Sequence, residues 1–220
     1  MLGTGFLVRY SHEVRGPHVF CGPNTTDVSP CPNCQKPMLQ MLRLDLTDPK
    51  LKPFAAAFGM ALLPLLWCWT CDISIGPLVY ELGNGGRSAR LLEWHSGGQG
   101  PDRPYSAYPV AFPRAGADLS PIEADVARNV RRLNRREISL GSVDKEAWAR
   151  PRHQVGGEPV FCGDFEPMRP CAGCGGQSDF LAAIADNCLD PRGFSENEFV
   201  QTLFWYCTRC HRVEAMQDCD

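Results

Sequence analysis

The sequence predicts an α+β chain, mainly β, made of two pseudo-symmetric β-rich repeats, each with a zinc-ribbon-like four-cysteine site, plus a short helical insert. Three observations predict it. The first is a doubled cysteine pattern: Cys31 and Cys34 are followed after 33 residues by Cys68 and Cys71, and Cys171 and Cys174 after 32 residues by Cys207 and Cys210. The second is duplicated text around those pairs. His12–Gly16, Val19–Gly22 and Pro30–Cys31 align with His153–Gly157, Val160–Gly163 and Pro170–Cys171. The offset is 141 through Phe20-Cys21-Gly22, 140 at the first cysteine pair and 139 at the second. The third is that clear helical period is confined to one segment, near 120–137. Two copies suggest a closed pair rather than a solenoid. The first repeat is placed at 1–80, the insert at 81–152 and the second repeat at 153–220.

Two CxxC pairs at matched separation suit a metal better than disulfides. Two intervening residues let a tight turn aim both sulfurs at one ion. Disulfide scaffolds are usually small secreted domains, whereas this chain has 220 residues. Residues 1–9 lack the charged and apolar regions of a signal peptide. The most apolar run, Phe54 to Trp69, is broken by Gly59 and Pro64 and is shorter than the roughly 20 residues of a spanning helix. The expectation is a cytoplasmic protein with two structural Zn²⁺ ions and no membrane partner. The formal net charge of −3 gives no bulk electrostatic case for nucleic acid.

Each repeat reads as a Gly/Pro-rich turn, a short apolar segment, a first knuckle, about thirty further residues, and an aromatic strand ending in the second knuckle. That strand is Leu65–Trp69 in one copy and Leu203–Cys207 in the other. A metal joining knuckles so far apart removes unfolded-state entropy. Its binding energy, on the order of 10 kcal/mol, becomes folding energy.

In the insert, Leu78–Leu82 and Ser88–Trp94 read as a hairpin turning at Asn84-Gly85. Residues 97–116 read as loop. Ser120 then suits an N-cap, Pro121 the first turn and Glu123 a capping box. Ile122, Val126, Val130 and Leu133 fall on one stripe. Arg128, Arg131, Arg132, Arg135 and Arg136 make a basic face on the same helix. Such a face is either simply solvated or a contact for an acidic partner or a phosphate backbone.

No catalytic constellation stands out, so the expectation is a protein that is not an enzyme. There is no nucleophile elbow and no phosphate loop. His12 and His153 align, which points to a shared structural hydrogen bond. Cys21 and Cys162 align and suit small buried hydrophobes, while Cys188 and Cys219 have no counterparts. His211 follows Cys210, but four cysteines already fill a tetrahedron.

The turn Val155–Pro159, the CxxC after it and the aromatic strand ending in a second CxxC resemble the YwqG-like bacterial proteins. The run Cys31–Met41 is similar to the knuckle of the programmed-cell-death-protein-2 family. These families share a duplicated β-rich fold, the TYPP domain. The resemblance covers both copies; the 81–152 segment is not clearly covered. In the first copy Arg15-Gly16-Pro17 stands where the family has a double glycine. The resemblance implies binding rather than catalysis: a protein partner that is either an escorted client or a neutralised toxin. The alternative is an RNA- or ribosome-associated zinc protein using the helix at 120–137.

Overall fold

Short aromatic and aliphatic runs bounded by turns become strands here, and long-range pairing joins them into one sheet. The structure is a computed structural model describing residues 5–68, 77–94, 110–139, 153–161, 163, 166–185 and 200–219. The strands are β1 (Phe6–Ser11), β2 (His18–Phe20), β3 (Asp27–Val28), β4 (Leu39–Asp45), β5 (Leu62–Trp67), β6 (Leu78–Gly83), β7 (Ser88–Trp94), β8 (Ala115–Pro121), β9 (Gln154–Val155), β10 (Met168–Pro170), β11 (Gln177–Ala185), β12 (Val200–Cys207) and β13 (Arg212–Cys219). Two α-helices, α1 (Lys52–Phe58) and α2 (Ala124–Asn134), complete the described fold. The class is mainly β within α+β.

The sheet runs β3-β7-β6-β13-β12-β11-β9-β1-β8-β2-β4-β5, with β10 paired to β11. β3 pairs with β7 in parallel over two residues. The expected hairpin is present as β6 and β7, turning through Asn84–Gly86.

The strands that lead out of and into the knuckles form two hairpins of one register. Leu39 faces Trp67 in β4–β5, and Asp179 faces Tyr206 in β11–β12. Each has its irregularity at the same point, between Gln40 and Leu42 and between Phe180 and Ala182. Past it, Leu42 faces Leu65 and Ala182 faces Phe204; at the far ends, Asp45 faces Leu62 and Ala185 faces Gln201. The offsets are 140 and 139, those of the cysteine pairs.

Upstream of the knuckles the structure corrects the alignment. Phe20 of β2 faces Leu42, and Val155 of β9 faces Ala182. His18, not His12, is therefore the counterpart of His153. His12 is exposed, while His18 is fully buried. The turn after β9 uses Gly156 and Gly157 at φ 64° and 67°, and the turn after β2 uses Cys21 and Gly22 at φ 55° and 83°. The double glycine is thus matched by Cys21-Gly22 rather than by residues 15–17. Sheet pairing chose the equivalence. Val19-Phe20 is a strand held between β4 and β8, whereas Phe161 lies outside any strand and packs on Phe180 at 6.2 Å.

The middle segment is corrected too. Ala115 and Gly116 are not loop; they open β8, whose residues pair with β1 as far as Pro121 opposite Phe6. Ser120 is therefore a strand residue facing Leu7, not an N-cap. Ile122 continues the ladder by donating its N–H to the Gly5 carbonyl at 2.9 Å. The helix starts two residues later, with Glu123 at the N-cap position and no side-chain cap bond. Seven residues of ladder outweigh one capping box. Val130 is buried and Val126 and Leu133 are half-buried, so three of the four stripe residues lie on the helix and face inward.

The main core takes residues from all along the chain, with Phe20, Leu42, Trp67 and Tyr80 in one cluster with Ile184, Phe204 and Tyr206. Phe58 of α1 packs on Tyr206, ring centroids 4.0 Å apart. Phe180, Ala183, Leu203 and Trp205 form a second cluster on the other face of β11 and β12. At the end of the sheet, the buried Tyr80 hydroxyl serves β5 in place of a neighbouring strand. It accepts from the Leu66 N–H at 3.0 Å and donates to the Pro64 carbonyl at 3.1 Å.

Candidate metal centres

Each first knuckle is a turn closed by two backbone bonds. Cys31 N–H donates to the Lys36 carbonyl and Gln35 N–H to the Cys31 carbonyl, both at 2.9 Å. In the same way Cys171 N–H donates to Gly176 at 2.6 Å, and Gly175 N–H to Cys171 at 2.9 Å. The residue after the second cysteine of the pair is left-handed in three knuckles: Gln35 at φ 58°, Gly175 at 63° and His211 at 54°. That reversal turns the chain away and leaves both sulfurs pointing one way. The second knuckle arrives at the end of the paired strand, after β5 and at the end of β12.

The sulfurs converge. Sγ atoms of Cys171, Cys174, Cys207 and Cys210 all lie within 4.8 Å of one another, and so do those of Cys31, Cys34 and Cys68. Cys71 lies outside the described residues. The Sγ–Sγ separations are 3.7 Å for Cys34 to Cys68, 3.5 Å for Cys171 to Cys210 and 3.6 Å for Cys174 to Cys207. Four sulfurs at 2.3 Å around a tetrahedral ion stand about 3.8 Å apart, whereas a disulfide needs about 2.05 Å. Among the described residues none of the seven is in a disulfide. The geometry fits a metal ion and does not fit cystine. Cys31, Cys68, Cys171 and Cys207 are buried; Cys34, Cys174 and Cys210 are half-buried.

The electrostatics of the second cluster are uneven. Burial acts to push the Cys171, Cys207 and Cys210 thiols up. At Cys171 the Gly173 and Cys174 amides and the neighbouring thiols outweigh burial and bring it down to about 6. One of those amides, Gly173 N–H, lies 3.4 Å from Cys171 Sγ. At Cys210 the neighbouring thiols add to burial and push it up to about 12. Burial likewise raises Cys207. The Cys171 thiolate forms readily while Cys207 and Cys210 resist, so a cation is needed to ionise them together. The Arg212 guanidinium lies over Gly173, where an added Cβ would sit 1.7 Å from Nη1. His211 does not join the sulfurs; its Nδ1 meets the Tyr206 hydroxyl at 2.7 Å.

The sequence alone does not signal these surrounding residues, because Gly173, Arg212 and Tyr206 have ordinary spacing. Cys21 is buried, as expected of a small hydrophobe. Cys162, Cys188 and His95 lie outside the described residues. Arg128, Arg131, Arg132, Arg135 and Arg136 are all exposed, far in sequence from both clusters. Arg136 leaves the helix at φ 58°.

No protein-family model, curated protein or solved structure matches this chain. No helix among the described residues is long and apolar enough to cross a membrane.

Proposed function

We propose that this chain is a duplicated, zinc-stapled β-rich scaffold that binds a protein partner and does no chemistry of its own. One observation carries the reading: the cluster of Cys171, Cys174, Cys207 and Cys210 is closed. Four protein sulfurs at tetrahedral spacing leave no position for water or substrate, which is the mark of a structural rather than a catalytic site. Soft thiolates in a tetrahedron favour zinc among the common divalent ions. Cys31, Cys34 and Cys68, with Cys71 as the fourth ligand, form the equivalent site in the first copy. The shared register and shared irregularity of the two hairpins support duplication and the ribbon-like character of both sites.

The partner-binding reading rests on the resemblance to the TYPP group, with a client or a toxin as partner. A sheet edge supports it. Beyond Ser88 and Ala89, β7 has no described neighbour on the side away from β6. A strand of a partner adds to such an edge through main-chain bonds.

The test is to recover tagged protein from its own cells and measure metal and bound protein on one sample. Two zinc ions per chain and one stoichiometric partner support the reading. Disulfides in place of metal, or zinc-loaded protein with no protein partner, overturn it.

A further inference from the structure

We infer that the outer face of α2 binds the phosphate backbone of nucleic acid, independently of the metal centres and of the protein-binding reading. Five of the chain's 22 lysines and arginines lie in residues 128–136, a stretch without one aspartate or glutamate. Arg128, Arg131, Arg132 and Arg135 follow at helical spacing, so they share one face, and all are exposed. Their charge is largely uncommitted. Arg132 has Glu137 at 3.7 Å, and Arg131 Nε donates to its own helix at the Ala127 carbonyl. Among the described residues, Arg128 and Arg135 have no acidic partner.

The face is held still. Val130 is buried beneath it. Asn134, at the helix end, donates to the Pro159 carbonyl at 2.9 Å and accepts from the Phe161 N–H at 3.4 Å. The helix entrance is fixed by Ile122 bonding to Gly5. Four guanidinium groups are therefore presented by an anchored helix rather than by a floppy tail.

Composition selects the ligand. Every cation here is arginine, whose planar fork matches phosphate in two parallel bonds. A protein interface needs a buried apolar centre, and the apolar residues of this helix, Val126, Val130 and Leu133, face the other way. Without aromatic side chains on the face to stack on bases, binding is independent of sequence.

The test is fluorescence anisotropy with labelled 20-nucleotide oligo(U) and oligo(dT), and a 20-residue poly-glutamate peptide, on the full metal-loaded chain. Four phosphate contacts predict a log–log salt slope of about −2.8, so affinity falls about 50-fold between 50 and 200 mM salt. The double variant Arg131→Gln, Arg135→Gln should reduce the slope to about −1.4. Arg9→Gln, an exposed arginine of β1, should leave it unchanged, and circular dichroism should show the fold intact in both. Because only phosphate is read, both oligonucleotides should bind alike. Three results would overturn the inference: no binding at 50 mM salt, a slope indifferent to the double variant, or poly-glutamate binding as tightly as oligo(U). The last would make an acidic protein the partner.

Discussion

His18 and His153 do the same work in the two hairpins: each Nδ1 accepts the amide of the last residue of the strand leaving the knuckle. The donors are Asp45 at 3.1 Å and Ala185 at 3.2 Å. Their surroundings differ. His18 Nε2 stands 3.1 Å from Asp48 Oδ2 without the alignment of a good hydrogen bond. His153 has Tyr10 and Phe20 edge-on, at 5.2 and 4.7 Å. Replacing His153 with leucine leaves a buried N–H unmatched, and chemical denaturation should register a loss of about 1–3 kcal/mol.

The charge state of His18 gives a pH dependence. Burial lowers its pKa, and Asp48, Asp45 and Asp118 pull the other way without overcoming it. The folded chain thus holds His18 neutral where the unfolded chain takes up a proton, near 6.5. Its contribution is complete above that pH and is lost as pH falls below it, toward the folded value. His18→Asn keeps an acceptor but cannot titrate. Thermal unfolding of metal-loaded protein between pH 8 and 5 should therefore fall less steeply in the variant than in the parent. Equal slopes would mean that His18 titrates normally.

Tyr80 should matter through its hydroxyl alone. Tyr80→Phe keeps the ring but leaves the Leu66 N–H and the Pro64 carbonyl buried and unmet. The loss should be roughly 3 kcal/mol in urea denaturation, taking 1–3 for each orphaned group. A loss under 0.5 kcal/mol would mean that water or another group takes over.

Zinc stoichiometry tests the ligand set directly. Cys171→Ser or Cys207→Ser should take metal content from two ions per chain to one. The β11–β12 hairpin should then lose amide protection, because the binding energy of a structural site is folding energy. Elemental analysis and hydrogen exchange report the two effects separately. Retention of two ions would refute the assignment of these four ligands.

Glu214 and Arg169 make a second pH prediction. Burial raises the Glu214 pKa, Arg169 at 3.1 Å lowers it, and Glu93 raises it; the net direction is up. Arg169 also lies over the Trp205 ring at 5.0 Å. In Arg169→Met the stem packing survives and the carboxylate is left without its cation. The folded pKa then rises further, so the penalty is largest at high pH and vanishes as the pH falls below the ordinary value of 4.5. Stability should drop by about 2 kcal/mol at pH 7 and hardly at all at pH 4.

The cysteine pairs and the aromatic strands that lead into the second of them were legible because local text specifies them. Two residues between sulfurs make a knuckle, and an aromatic run ending in the next pair makes a strand. Asn84-Gly85 marked the β6–β7 turn for the same reason. What escaped was set at long range. Val19-Phe20-Cys21-Gly22 and Val160-Phe161-Cys162-Gly163 look alike, yet only the first supplies a strand, because β8 and β4 lie on either side to receive it. Ser120 carries a good capping signal, but its backbone belongs to the ladder with Leu7. Tyr80 gives no sign in the sequence that its hydroxyl closes an edge 14 residues away.

The position of β1 has a consequence for how the chain is made. This strand precedes every other described strand in the chain, yet its two neighbours, β8 and β9, are synthesised more than a hundred residues later. β2 also waits for β8. Before then the β4–β5 hairpin, with Cys31, Cys34 and Cys68, and the β6–β7 hairpin can gather, and β2 can join β4. A nascent chain halted before residue 115 holds these hairpins, while β1 still lacks both its neighbours. β1 therefore joins the sheet only after more than a hundred further residues have been made, although it precedes every other described strand in the chain.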